Sequence, residues 1–316
     1  MKQIDLGNTG IRINPLVYGT LPLGPLQAGL SPEEGGRLIR HALELGVNLV
    51  DTAELYGTYP HICAALNGYP GTVHIASKTH AADATTARSH VERALRELSR
   101  ERLEIVLLHG ARLADPFTER GEVLAELVKM KKEGKIGHVG LSSHYISAIR
   151  KAAGYPEIEV IHPLINQTGM GILDGTAAEM AEAIAACARA GKGCYGMKAL
   201  AGGNLIAAAR QSFRYVLGVP GMNAVAVGML STAEIEANLA LLNGEAEDQG
   251  SWEKLEKGRR KLKIMEQFCK GCGLCVTACT NNAIVMEDGK ARVNEAECIL
   301  CGYCAAVCPD FIIRVV

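Results

Sequence analysis

The sequence predicts an α/β architecture, a (β/α)8 barrel followed by a small cysteine-rich domain, and three observations predict it. Short β-branched or aliphatic runs alternate with longer amphipathic stretches through the first 245 residues, which reads as repeated strand-helix units over a parallel sheet. No G-x-G-x-x-G follows the first run, and polar residues sit at the ends of many different runs, so a doubly wound open sheet is disfavoured. Eight of the eleven cysteines fall between Phe268 and Pro309, so the composition changes sharply near the C-terminal end.

The elements follow in order. Lys2 to Ile13, with Gly7-Asn8-Thr9-Gly10 between apolar residues, reads as a β-hairpin ahead of the barrel. Strands are expected at Leu16–Thr20, Val47–Asp51, Val73–Ser77, Ile105–His109, His138–Ser142, Val160–Pro163, Gly193–Met197 and Ala224–Gly228. Helices separate them. Pro32–Leu45 has Ser31 as its cap, proline at its first position and glutamates in its first turn, and Ala178–Ala190 is rich in alanine. Eight such units in roughly 230 residues match a TIM barrel, whose chemistry belongs at the carboxyl ends of the strands. Asp248 to Gln267 is polar and basic and reads as a linker helix, which divides the chain into a barrel at 1–245, a helical linker at 246–264 and a C-terminal domain at 265–316.

Composition narrows the function. A chain of 316 residues with 48% apolar content buries more than one core, which excludes a disordered chain or a disulfide-stapled miniature. Lys plus Arg total 33 against 34 for Asp plus Glu, a formal charge of -1, so neither nucleic acid nor a membrane surface is an expected partner. Neither a signal-peptide core nor an apolar run of roughly 20 residues occurs, and the chain is read as cytoplasmic.

The late cysteines carry a metal chemistry. Cys269, Cys272, Cys275 and Cys279, then Cys298, Cys301, Cys304 and Cys308, repeat the spacing C-x2-C-x2-C-x3-C with an offset of 29 residues. Three closely spaced thiolates converge on one cluster, while the fourth, entering a helix, ligates the other. One [4Fe-4S] cluster is therefore assigned Cys269, Cys272, Cys275 and Cys308, and the second Cys298, Cys301, Cys304 and Cys279. Zinc pairs would leave the third cysteine of each run unexplained. The segment resembles a bacterial two-cluster ferredoxin, with Cys308-Pro309 matching its C-P ending and Thr280 standing where the first run would have proline. Cys63, Cys187 and Cys194 are read as small packed hydrophobes.

The strand ends carry the second chemistry. Asp51, Lys78 and His109 follow successive apolar runs, and Tyr56 lies in the loop beyond Asp51. A buried lysine beside a tyrosine is expected to lower the phenol pKa while the carboxylate keeps that lysine charged, and His109 is placed to hydrogen-bond a carbonyl oxygen. Each residue alone has a structural explanation; four on successive strand ends make a catalytic set.

These residues lie in motifs. Asp51-Thr52-Ala53-Glu54-Leu55-Tyr56-Gly57, Ser77-Lys78, Leu108-His109 and Val139-Gly140-Leu141-Ser142-Ser143 resemble the aldo/keto reductase family, over a stretch from about Leu6 to Asn243, and the whole chain is similar to the branch with a C-terminal ferredoxin domain. The resemblance implies NAD(P)H as hydride donor, Tyr56 as general acid with Lys78, Asp51 and His109 as companions, and a small carbonyl or alcohol as substrate. It also implies cofactor contacts at Ser142, Ser143, Asn166, Lys198, Leu200, Gly202, Gly228, Ser231 and Asn238, with His162 replacing a glutamine and Met197 standing where many members stack an aromatic ring. Residues 228–234 offer no lysine or arginine for a 2′-phosphate, and Glu234 would repel one, so NADH is the expected donor.

A nicotinamide moves two electrons and each cluster one, and no flavin motif is visible to convert between them. Two readings stay open: an oxidoreductase whose clusters link the site to a ferredoxin-like or other redox partner protein, and an electron carrier or redox-sensing module whose barrel binds nucleotide without turnover. A third assigns the clusters a purely structural role.

Overall fold

The computed structural model describes residues 3–111, 113–245, 248–310 and 312–315. A short antiparallel hairpin, β1 (Ile4–Asp5) and β2 (Arg12–Ile13), opens the chain where the sequence places one, with Lys2 outside the described residues. The eight strands β3 (Leu16–Gly19), β4 (Leu49–Asp51), β5 (His74–Thr79), β6 (Leu103–His109), β7 (Ile136–Ser143), β8 (Val160–Pro163), β9 (Gly193–Gly196) and β10 (Ala224–Val227) follow. They close into a parallel barrel, with β10 pairing both β9 and β3. All eight fall at the expected places.

Alternation along each strand builds two cores. Val17, Leu49, Ala76, Ile105, Leu107, Val160, Tyr195 and Ala224 pack inside the barrel against Leu6, Ile11 and Ile13 of the hairpin, which fills its amino-terminal mouth. The neighbouring residues Leu16, Tyr18, Val50, Ile75, Val106, Val139 and Ile161 face outward and bury the apolar stripes of the helices. The Pro32–Glu44 helix shows why these helices begin where they do: Ser31 and Glu34 form a reciprocal capping box, and proline occupies the first turn.

The linker departs from expectation. Its helix covers Gln249–Leu255 only, after Ala246 and Glu247, which lie outside the described residues. By Leu262 the chain has become β11 (Leu262–Ile264), paired antiparallel with β14 (Ile313–Val315) at the far end of the C-terminal domain. Gly258 follows the helix, and Leu262 is buried in that domain's core, so tertiary pairing overrides the charged, helix-compatible pattern of 256–264. Between the two strands lie a hairpin, β12 (Ile284–Glu287) and β13 (Lys290–Val293), and two short helices, Leu274–Ala278 and Tyr303–Ala306.

Candidate active site at the carboxyl ends of the strands

The inward alternation carries straight into the site. Two residues beyond Leu49, Ala76 and Leu107 lie Asp51, Lys78 and His109, each on the inner face at a strand end. Asp51 accepts from Lys78 Nζ at 2.5 Å on one carboxylate oxygen and from the Tyr195 hydroxyl at 3.0 Å on the other. Lys78 also donates to the Thr52 carbonyl at 2.9 Å. This ion pair is buried, with further hydrogen bonds satisfying both partners, the condition under which buried charges are tolerated. Tyr195 is not legible in the sequence as a site residue, although its parity on β9 points it inward; His162 stacks on it at 4.1 Å.

Tyr56 is buried beside this pair, and Lys78 Nζ lies 5.0 Å from the centre of its ring. Here the expectation is corrected. Lys78 spends its hydrogen bonds on Asp51 and Thr52, and the Tyr56 phenol is pushed well above its ordinary pKa, by burial first and then by Tyr303 and Asp51. The site holds a proton on Tyr56 instead of making an acidic phenol. Burial pushes Lys78 down while Asp51 opposes the shift. Burial, then the Lys78 charge, pushes His109 well below the ordinary histidine range, so it is neutral.

His109 Nδ1 lies 2.7 Å from Ser142 Oγ, and its Nε2 lies 3.0 Å from the hydroxyl of Tyr303, a residue of the C-terminal domain. Tyr56 also shares a hydrogen bond with Tyr303. The site is thus completed by a residue 194 positions away from His109 that no spacing rule would nominate.

A cavity of about 260 Å³ runs from Asp51, Tyr56 and His162 past Met197, Lys198, Leu200 and Gly202 to Gly228, Glu234 and Asn238. Of the expected cofactor contacts, Lys198, Leu200, Gly202, Gly228 and Asn238 therefore line one space. Ser142, Ser143, Asn166 and Ser231 are not among its lining residues, and each has internal work: Ser142 meets His109, and Ser143 Oγ accepts from Tyr145 N. Asn166 organises the 166–170 loop, and Ser231 caps the helix Thr232–Asn243. Arg259 and Arg260 of the linker also line the cavity, cations that residues 228–234 do not reveal. Glu234 turns back to accept from Leu230 N at 2.6 Å.

Lys198 Nζ is buried with no hydrogen-bond partner among the described residues, and Lys198 adopts a left-handed φ of 59°. An orphaned ammonium in a cleft with glycine walls suits an anionic nucleotide. Cys301, Cys298 and Cys279 favour the charged form of Lys198, and the cavity wall is completed by Ile299, Leu300 and Cys301, so the C-terminal domain roofs the barrel mouth.

The cysteines gather as the duplication requires. Cys269, Cys272, Cys275 and Cys308 line one small cavity with Ile312 and Ile313. Cys301, Cys298 and Cys279 lie close enough to act electrostatically on Cys304, and Cys275 adds a smaller effect. Backbone N–H groups reach the sulfurs, Ala291 N to Cys269 at 3.4 Å and Ala283 N to Cys279 at 3.2 Å, and none of the eleven cysteines is in a disulfide. Four sulfurs per site, apolar walls and N–H···S contacts fit iron-sulfur ligation.

Three comparisons accord with this geometry. A solved aldo-keto reductase from Pseudomonas aeruginosa is 29% identical and superposes with a TM-score of 0.67, covering 77% of this chain and 95% of that one. One from Bacillus halodurans, at 21% identity, has a TM-score of 0.63 over 81% of this chain and 96% of its own, a likeness of fold. Aldo-keto reductase 1 of Glycine max is 26% identical over 204 residues, 55% of this chain, so the chain spans 58% of that relative's length. Residues 268–312 match the 4Fe-4S dicluster domain. Residues 15–213, more than half of the sequence, match the aldo/keto reductase family model, and the chain belongs to that family.

Proposed function

We propose that this protein is an NAD(P)H-dependent oxidoreductase that reduces a small carbonyl compound, or oxidises the corresponding alcohol, and exchanges electrons with a separate redox protein through two [4Fe-4S] clusters. The observation that carries this reading is the gathering of Asp51, Tyr56, Lys78 and His109, with Asp51 and Tyr56 lining one elongated cavity, Lys78 bonded to Asp51, and His109 joined to Tyr56 through Tyr303. Bound NAD(P)H would supply hydride. Tyr56, kept protonated by burial, gives its proton to the oxygen, and Lys78, held charged by Asp51, lies over its ring to stabilise the phenolate left behind. Ser142, donating to His109 Nδ1, leaves the imidazole proton on Nε2, where it polarises the same oxygen. Lys198, Leu200, Gly202, Gly228 and Asn238 hold the nucleotide.

The clusters are assigned to Cys269, Cys272, Cys275, Cys308 and to Cys279, Cys298, Cys301, Cys304; the second set, beside Lys198, stands nearer the cavity. NADH is the proposed donor on the strength of Glu234, against Arg259 and Arg260 on the same cavity wall. A kcat/KM for NADPH equal to or above that for NADH would overturn this preference, and an Arg260→Ala variant identifies the cation responsible. A reducing cytoplasm is the proposed location; no helix among the described residues is long and apolar enough to cross a membrane.

The second reading, an electron carrier or sensor without turnover, draws on Tyr303, which stands against both His109 and Tyr56. Tyr56→Phe separates the two. For the enzyme, carbonyl reduction falls by about 10²- to 10⁴-fold with cluster absorbance unchanged. Undetectable carbonyl turnover in the native holoprotein, with electron transfer unaffected in the variant, supports the carrier.

A further inference from the structure

Tyr303 is placed by the metal-binding turn and spends its polar end in the barrel. It follows Gly302, which has a φ of 79° and comes so close to the barrel that a Cβ there would meet the Leu26 carbonyl at 2.5 Å. Two further contacts fasten the same stretch: Gln27 Nε2 donates to the Leu300 carbonyl at 3.3 Å, and Asn204 Nδ2 to the Cys298 carbonyl at 2.8 Å. The Tyr303 ring packs with Leu21, Leu26, Leu55 and Tyr56, and lies 5.9 Å from Lys198 Nζ. Its hydroxyl meets His109 Nε2 and Tyr56, the two groups assigned above to the substrate oxygen.

We infer that Tyr303 is an internal occupant of the substrate site: its phenol hydroxyl holds the place of the substrate oxygen, and a substrate enters only as the Tyr303 turn withdraws. The assignment of those two groups to substrate rests on the proposed function. A buried hydroxyl costs free energy unless it is hydrogen-bonded, and so do buried imidazole and phenol groups left without one. Tyr303, Tyr56 and His109 satisfy one another in the closed state, so whatever displaces Tyr303 must bring an oxygen of its own. The space it vacates is one aromatic ring with a polar end. The favoured replacement is therefore a small flat carbonyl compound or alcohol, and an aliphatic ligand without an oxygen is excluded. Because Tyr303 sits between Cys301 and Cys304, the turn that must withdraw is one fastened by two proposed ligands of the nearer cluster.

The test uses the full chain with its clusters in place, and phenol as the probe. By calorimetry, Tyr303→Gly is expected to bind phenol at least about tenfold more tightly than the native protein, while Tyr303→Phe, whose ring still fills the space, does not. With benzaldehyde and NADH or NADPH, Tyr303→Gly is expected to gain at least about tenfold in kcat/KM, with phenol competing. Equal phenol affinity in native and Tyr303→Gly proteins of equal iron content overturns the inference, as does a Tyr303→Gly kcat/KM at or below that of an active native enzyme. Should Tyr303→Gly lose iron, Tyr303→Leu keeps apolar packing while vacating the hydroxyl position and is read by the same phenol titration, with equal affinity again overturning the idea. If no form reduces any carbonyl yet phenol binds only the glycine variant, the internal occupant stands and the proposed reaction falls.

Discussion

In the barrel the buried charges at the strand ends are paired within the protein, whereas in the C-terminal domain much of the buried core is cysteine sulfur. Asp51, Lys78 and Tyr195 close a network against a core built of valine, leucine, isoleucine and alanine. The smaller domain packs Leu262, Ala283, Ile284, Ala291, Ile312 and Ile313 around Cys269, Cys275, Cys298, Cys304 and Cys308. Its surface is correspondingly apolar: Phe268, Leu274, Val285, Met286 and Val307, the exposed large hydrophobic side chains of the described residues, all belong to it. One region carries its chemistry on a self-sufficient core, and the other gets its core from its proposed ligands.

The largest expected effect follows from that contrast. Removing iron with a chelator takes away what organises the smaller domain, since binding free energy at such sites is folding free energy. Amide exchange protection should be lost across 262–315 while the barrel strands remain protected, as read by mass spectrometry on the full chain. Equal loss in both regions would break the comparison and make the barrel depend on the clusters.

The same contrast explains what is legible in the sequence. Strand positions, the inward parity that delivers Asp51, Lys78 and His109, and the paired cysteine runs are all local patterns with short periods. What stays hidden in the sequence arises where distant segments meet. Tyr303 reaches His109 across the domain seam, Tyr195 is identified only by the carboxylate it meets, and Arg259 and Arg260 enter the cavity from the linker. The Tyr56 phenol moves opposite to the expected direction because burial dominates and Tyr303, Asp51 and Tyr195 push the same way, contacts that no local pattern reveals. Ser142 shows a contact that motif transfer does not foresee: a residue expected at the cofactor also lies 2.7 Å from His109 Nδ1.

A smaller effect probes the barrel's own reliance on neutral buried groups. Burial holds the His162 pKa down to about 4, with Asp51 opposing. Unfolded, the same imidazole takes up its proton near pH 6.5, so its contribution to stability is present above that pH and is lost as pH falls towards 4. Each tenfold weakening of proton affinity on folding is worth about 1.4 kcal/mol, so His162 accounts for roughly 3 kcal/mol of acid destabilisation. Urea unfolding of the barrel in native and His162→Gln proteins between pH 7 and 4 checks it: the variant should show the shallower loss, and parallel curves would show that His162 is not held neutral.

The smallest expected effect lies at the seam. Asn204 donates to the Cys298 carbonyl at 2.8 Å from the barrel side, and to its own Ala201 carbonyl at the same distance. Asn204→Ala removes both, at a cost of about 1 kcal/mol for each, the usual worth of such bonds to neutral groups. If the smaller domain is held together by its clusters and merely docked on the barrel, this cost should fall on docking. Exchange would then quicken at residues 298–304 and along the facing 199–205 segment, with barrel stability in urea falling by no more than that cost. A larger fall would instead mean that the seam is part of the barrel's own core, because a bond that only fastens two independently stable bodies can add to the stability of either no more than its own docking free energy.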